Sequence, residues 1–160
     1  MGHRNFKLFE GIVALSVSST WERAVEEWDL LEVWFVEKGE DPETCLCGHH
    51  PIKEVCVIKN HRNGKLAEVG NVCVNKFMGL PSEGIFQGLR RIQRDRDRGL
   101  NPAAVAFAFD KRWITKWEVA FCESTWRKRE LSPRQWASRH AINDNVLARL
   151  RAAKAKRSRT

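Results

Sequence analysis

The chain contains no tyrosine, so its aromatic character rests on 7 tryptophans and 8 phenylalanines. It also lacks any long apolar run. The stretch Phe6 to Leu15 is broken by Lys7 and Glu10, which excludes a membrane span and an export signal there. There is no glycine-rich phosphate loop, no nucleophile and base at a recognised spacing, and no pair of carboxylates in an apolar setting. These absences argue against an enzyme. Cysteine is scarce and odd in number, 5 in 160 residues, which does not suit a disulfide scaffold and makes the reducing cytoplasm the expected compartment.

What is present is concentrated. The stretch Thr44 to Met78 holds four of the five cysteines and three of the five histidines. Cys45 and Cys47 form a tight C-x-C-G turn, and Cys73 follows 26 residues later behind Gly70 and Asn71. Between them lies a hairpin signal. Glu54 to Asn60 is β-branched and apolar, Asn63-Gly64 suits a type I′ turn, and Lys65 to Val69 supplies the return strand. Asn71 is the expected cap of a short helix carrying Cys73 at its start, where free amides favour a thiolate, and Gly79 with Pro81 ends it.

A thiol-bearing turn, a hairpin and a helix begun by a third thiol is the layout of a treble-clef zinc module. Zn²⁺ takes four soft or borderline ligands in a tetrahedron and binds thiolate rather than thiol. Cys45, Cys47 and Cys73 are the three expected ligands. His50, beside Pro51, is the preferred fourth, with His49 and Cys56 as alternatives. The competing reading is that these cysteines are reduced and merely packed. The polar EKGEDPET run ahead of Cys45 and Cys47 speaks against a core position there.

The residues CLCGHHPIKEVCVIKN, NGK and VGNVCVNKF resemble a module that recurs in small proteins of bacteriophages and related mobile elements, with the pattern C-x-C-G, I-K, N-x-x-x-G and V-G-x-x-C-V-x-x-F. Glu27-Trp28 ahead of the module, and LSPRQ and AIND near the C-terminus, extend the likeness over most of the chain. The resemblance implies a zinc site and a mobile-element origin; it implies no particular activity.

Charge is segregated. Residues 1–80 carry 9 basic and 12 acidic side chains, residues 81–160 carry 19 and 8, so the net +8 belongs to the second half. The expected fold class is therefore α+β and mostly helical, a helical body with an embedded zinc-binding hairpin-helix module. Its expected parts are N-terminal helices over 1–43, the module over 44–80, a basic helical region over 81–150 and a disordered basic tail over 151–160.

Within the helical parts, residues 4–15 read as an amphipathic helix with Phe6, Phe9 and Val13 inward, and Ser19 with Glu22 as a capping box. Trp21, Val25, Trp28 and Glu32 continue at helical spacing, and Leu31 to Phe35 is β-branched and aromatic enough to enter as a strand. Ser82 opens a helix to Arg98, Asn101-Pro102 opens a buried one over Ala103 to Phe109, and Lys111 to Cys122 follows with Trp113, Trp117 and Phe121 as a core stripe. Ser132-Pro133 with Gln135 starts the last helix, with Ile142, Val146 and Leu150 inward.

Three functions compete. The first is a zinc-stabilised protein binding DNA or RNA through the phosphate backbone, using Lys59, Arg62 and Lys65 on the hairpin, Arg127, Lys128 and Arg129 at a connection, and Lys154, Lys156, Arg157 and Arg159 in the tail. The second is an interaction module that seizes a host protein. The third, a ββα-metal nuclease with His61 as base, lacks the second histidine or acidic ligand that a catalytic metal needs in VCVNKFM.

Overall fold

The computed structural model describes residues 3–158, with side chains over 5–157. The chain forms two compact units, Met1–Ser82 and Glu83–Thr160. The fold is α+β, with one three-stranded antiparallel sheet, and the sheet and the cysteines belong to the first unit.

The first unit opens with α1, His3–Leu15, then α2, Trp21–Ala24, running into a 3-10 turn, Val25–Glu27. The sheet follows as β1, Trp28–Phe35, β2, Glu54–Asn60, and β3, Leu66–Gly70, in the order β1-β2-β3. α3, Asn71–Lys76, leaves β3 directly. In the central strand β2, Val55, Cys56, Val57 and Ile58 are fully buried, so both faces are covered. That burial explains a run of apolar residues without alternation.

Helical spacing carries the second helix too far. Trp28 and Glu32 lie in β1, where Trp28 pairs with Asn60 and Phe35 with Glu54 across an irregularity at Leu30/Glu32. Glu27 makes the turn. Its buried carboxylate accepts from the Val17 and Ser18 amides at 2.8 and 2.9 Å and from Asn60 Nδ2 at 2.9 Å, tying the α1–α2 connection to the end of β2. Burial alone would raise its pKa, but these hydrogen bonds to the charged form win and hold it down at about 2. The helix N-cap is Thr20, without a side-chain cap, and not Ser19.

Two local expectations also shift. In α1 the fully buried residues are Leu8 and Ile12, and Phe6 is exposed, so the inward stripe is rotated from the one containing Phe6. The hairpin connection is not a two-residue type I′ turn: only Gly64 takes a positive φ, 76°, and the Asn60 side chain organises a longer loop by accepting from the Arg62 and Asn63 amides. Gly64 N then donates to Asn60 O at 2.8 Å. A four-residue turn closed by a left-handed glycine needs no positive φ at Asn63.

Among the described residues the second unit has four helices, α4, Ser82–Arg94, whose first residue still belongs to the first unit, α5, Pro102–Asp110, α6, Lys116–Thr125, and α7, Pro133–Ser158. Asn101 caps α5 by accepting from Ala104 N at 2.9 Å, and Ser132 and Gln135 exchange the reciprocal bonds that start α7. Ile85, Leu89, Ile92, Ile142, Val146 and Leu150 are buried. The chain leaves α5 through Arg112, whose φ of 61° is left-handed, and Thr115 with Glu118 forms a full capping box for α6. Trp113 therefore precedes the helix, and Trp117, expected in the core, is 63% exposed and stacks on Phe121 at 5.5 Å. α5 is less buried than its composition suggests, since Ala106 and Phe109 face outward.

The α4–α5 connection is stitched to α7. α4 stops at Arg94 and not at Arg98, and of the acidic residues that alternate with the arginines there, Asp97 is used across elements. Arg96 makes a two-pronged pair with Asp144 at 3.0 and 2.6 Å, Asp97 bonds His140 at 2.7 Å, and buried Asn143 donates to the Arg96 and Arg98 carbonyls. α7 continues through Ser158, so the segment expected to be a disordered tail is helical that far. Its alanines, lysines and arginine are strong helix formers.

Candidate metal centre and basic surfaces

The C-x-C turn and α3 are brought together by β3. Cys45, Cys47 and Cys73 place their sulfurs within 4.8 Å of one another. Cys45 and Cys47 are buried and Cys73 is half-buried. The turn between the first two thiols closes with Gly48 N donating to Cys45 O at 2.8 Å, and Gly48 adopts a φ of 90°. α1 packs on it, because a Cβ on Gly11 would meet the Leu46 side chain at 3.0 Å.

Backbone amides already point at the sulfurs. Gly70 N and Cys47 N lie 3.2 and 3.5 Å from Cys45 Sγ, and His49 N lies 3.4 Å from Cys47 Sγ. Cys45 is consequently the thiolate of the group. The Cys73 thiol donates to it, and that bond with the two amides outweighs burial to bring Cys45 down to about 5. Cys73 is held well above the ordinary thiol range, first by that same bond and then by burial, and burial raises Cys47. The expected site of thiolate stabilisation, Cys73 at the start of α3, is thus displaced to Cys45. The helix cap also moves, from Asn71 to Gly70, because the Asn71 side chain is buried and accepts from Ser82 Oγ at 2.6 Å.

Three sulfurs so close cannot all ionise without a cation between them. In a tetrahedron with metal–sulfur bonds of about 2.3 Å, sulfurs stand ~3.8 Å apart, so closing this group on an ion needs adjustments of about an ångström at most. Cys45, Cys47 and Cys73 could hold a metal ion. Among the described residues no fourth histidine, cysteine or carboxylate joins the cluster.

The structure separates the three candidates for a fourth ligand. His50 Nδ1 is hydrogen-bonded with Thr44 Oγ1 at 2.7 Å in an exposed position and does not join the sulfur cluster. Cys56 is fully buried with its thiol against Ser82, and burial pushes it up to about 12. His49 lines a cleft of about 430 Å³ that contains all three sulfurs, together with Glu54, Lys53 and Lys76. Sequence spacing alone could not rank the adjacent histidines, because the direction of each side chain depends on how the loop closes on β3.

His61 lies beyond the end of β2 remote from Glu54, roughly 20 Å along the strand from the cleft, and contacts Asp29 at 3.2 Å.

The basic residues fall on separate surfaces. Lys59, Arg62 and Lys65 are exposed on the hairpin, with Arg62 3.7 Å from Glu27. Arg127, Lys128 and Arg129 are exposed at the α6–α7 connection and line a second cleft of about 290 Å³. Lys154, Lys156 and Arg157 ride the last turns of α7, and Arg159 lies outside the described residues.

Arg91, Arg98 and Arg139, which sequence reasoning did not single out as site residues, line that second cleft with Trp126 and Trp136. Arg139 carried a signal: it stands on the inward stripe of α7 one turn before Ile142, where a charge is out of place. It is 3% exposed and donates to the carbonyls of Asp97, Lys128 and Thr125.

Comparison with known proteins finds no matching family, no similar curated protein and no similar solved structure. Among the described residues no helix is long and apolar enough to cross a membrane.

Proposed function

We propose that the chain is a zinc-stabilised nucleic-acid-binding protein of phage or mobile-element origin that works in the reducing cytoplasm and grips mainly the phosphate backbone. The observation that carries the nucleic-acid reading is segregation of charge: residues 83–160, the unit without the cysteine cluster, hold 19 basic and 8 acidic side chains. Contacts of that kind neutralise phosphates, release counterions and weaken steeply with salt.

Zinc fits the three sulfurs because thiolates select soft and borderline ions and the tetrahedral spacing is nearly met. In this reading the module is a treble clef, Cys45, Cys47 and Cys73 are ligands, and His49, on the wall of the cleft, completes the tetrahedron in preference to His50. Bound zinc would supply a fixed crosslink between the turn and α3, and no chemistry on a substrate. Gly70 N and His49 N would remain to hold the ligand sulfurs in place.

Elemental analysis of the purified chain is expected to find about one zinc per molecule, and cobalt substitution to give sulfur-to-metal charge transfer. Titration of labelled DNA and RNA, single-stranded and duplex, is expected to show affinity that falls linearly with the logarithm of salt concentration. No zinc, with the fold intact in chelator, ends the metal reading; no binding to any of the four polymers ends the nucleic-acid reading.

A second reading, a module that docks on a host protein, is favoured by one feature: Trp117 is 63% exposed and stacked on Phe121. Large exposed aromatics mark protein interfaces more often than free surface.

A further inference from the structure

The cleft at the α6–α7 connection is built from three segments: Arg91, Asp95 and Arg98 at the end of α4 and after it, Trp126 to Arg129 beyond α6, and Trp136 and Arg139 of α7. It has six cationic side chains against two carboxylates. Both carboxylates are already engaged. Asp97 bonds His140, and Asp95 Oδ1 accepts from the Asp97 amide at 3.0 Å.

The cations are held rather than splayed. The guanidiniums of Arg91 and Arg127 lie over the Trp126 ring at 5.6 and 4.7 Å, and that of Arg139 over Trp136 at 5.5 Å. Arg139 fixes the walls through its three carbonyl contacts. Arg91 is the informative member. Its Nε is buried and has no hydrogen-bond partner, which leaves an unsatisfied donor on a side chain that lines a cleft of like charges. Burial and the neighbouring Arg98 and Arg129 charges all depress its pKa, a sign that the protonated form is crowded. Arrangements of this kind are relieved by an anion.

The cleft also continues. Arg91, Asp95 and Arg98 form one wall of an adjoining groove with Gln87, Arg90 and Arg94. Arg90 and Arg94 are one helical turn apart, about 6 Å along the axis, so cations follow one another along α4 toward the cleft. A track suits successive phosphates better than one isolated ion.

We propose that the Arg91, Arg98, Arg127 and Arg129 cleft is a phosphate-binding site that seats backbone phosphates of a nucleic acid, with the α4 groove as its continuation; this rests on the nucleic-acid reading above and assigns it a place. The test measures binding of a labelled oligonucleotide and of pyrophosphate to the full chain and to three variants. Arg129→Gln changes an exposed rim residue and should fold normally; Arg91→Gln removes the buried donor; Lys116→Gln, at an exposed position outside both grooves, is the charge control. The two cleft variants are expected to weaken oligonucleotide binding about five- to tenfold and to lower the salt slope by about one, against less than about twofold for the control, with pyrophosphate competing. Oligonucleotide binding that neither cleft variant alters overturns the site and leaves the nucleic-acid reading standing. Pyrophosphate binding lost in Arg129→Gln, with no polymer bound, supports the phosphate site and removes the nucleic acid. Binding of neither ligand overturns both.

Discussion

Arg139 offers the sharpest single perturbation. A guanidinium 3% exposed donates to three main-chain carbonyls, those of Asp97, Lys128 and Thr125, and so joins the connections on either side of the cleft. Arg139→Ala strands the Asp97 and Lys128 carbonyls, while the Thr125 carbonyl keeps the Lys128 amide at 2.8 Å, and it opens a void the size of the side chain. A hydrogen bond from a charged donor contributes ~1.5–3 kcal/mol, and a carbonyl left without a partner costs about 1–3 kcal/mol. The contributions do not add fully, because the Asp97 and Lys128 contacts are only part-buried and their carbonyls regain some water; a loss of about 3–5 kcal/mol is expected, as for breaking a buried charged contact. With a urea slope of about 2 kcal/mol per molar, the midpoint of this unit should fall by roughly 2 M. Arg139→Lys should recover less than half, since one ammonium cannot fork between carbonyls on two connections. Because the chain has two compact units, the measurement is urea-dependent hydrogen exchange in peptides from residues 83–158 and not one global midpoint. An alanine variant within about 0.5 kcal/mol of the parent, the range of ordinary surface changes, would refute the inference that this contact holds the corner.

Other outcomes follow from the same physics. Glu27 has its pKa lowered from 4.5 to about 2 in the folded chain, so its contribution is present above pH 4.5 and disappears as pH falls toward 2; Glu27→Gln should lower stability at neutral pH and flatten the acid limb between those values in a denaturation series. Thiol labelling of the chelated protein at pH 8 should modify Cys45 first, ahead of Cys56 and Cys122. Burial pushes Cys56 up to about 12 and Cys122 up to about 11, leaving only about one part in ten thousand and one in a thousand as thiolate. Early label on Cys56 by peptide mass spectrometry would contradict that. Gly88→Ala should destabilise α4 against α5 by ~1–3 kcal/mol, since the added Cβ would strike Asn101 Oδ1 and lie 2.6 Å from the Ala104 Cβ, disturbing the cap of α5; thermal unfolding unchanged from the parent would argue against it.

Chemistry confined to a few neighbouring residues was readable directly. The strand from Glu54 to Asn60, the caps at Asn101 and at Ser132 with Gln135, and the clustering of Cys45, Cys47 and Cys73 all follow from groups that meet within one turn or across one hairpin. The Thr115-x-x-Glu118 box was equally local and was hidden only by an apolar stripe that ran through it from Trp113. Propensity alone foretells the helix at the end of α7, where alanine and lysine alternate and charge had suggested disorder.

The rest depended on partners far along the chain. Trp28 satisfies helical spacing with Trp21 and Val25, yet it lies in a strand because β2 has an edge to fill and Asn60 meets Glu27 there, 33 residues away. His49 and His50 are equivalent as letters; loop closure turns one toward the sulfurs' cleft and the other to Thr44. Arg91, Arg129 and Arg139 come from three segments, and packing alone makes them neighbours. Side-chain type sets what a residue can bond, and the sequence states that outright. Which bonds form is decided by burial and by long-range pairing, whose free energies of several kcal/mol exceed the tenths that local preference commands.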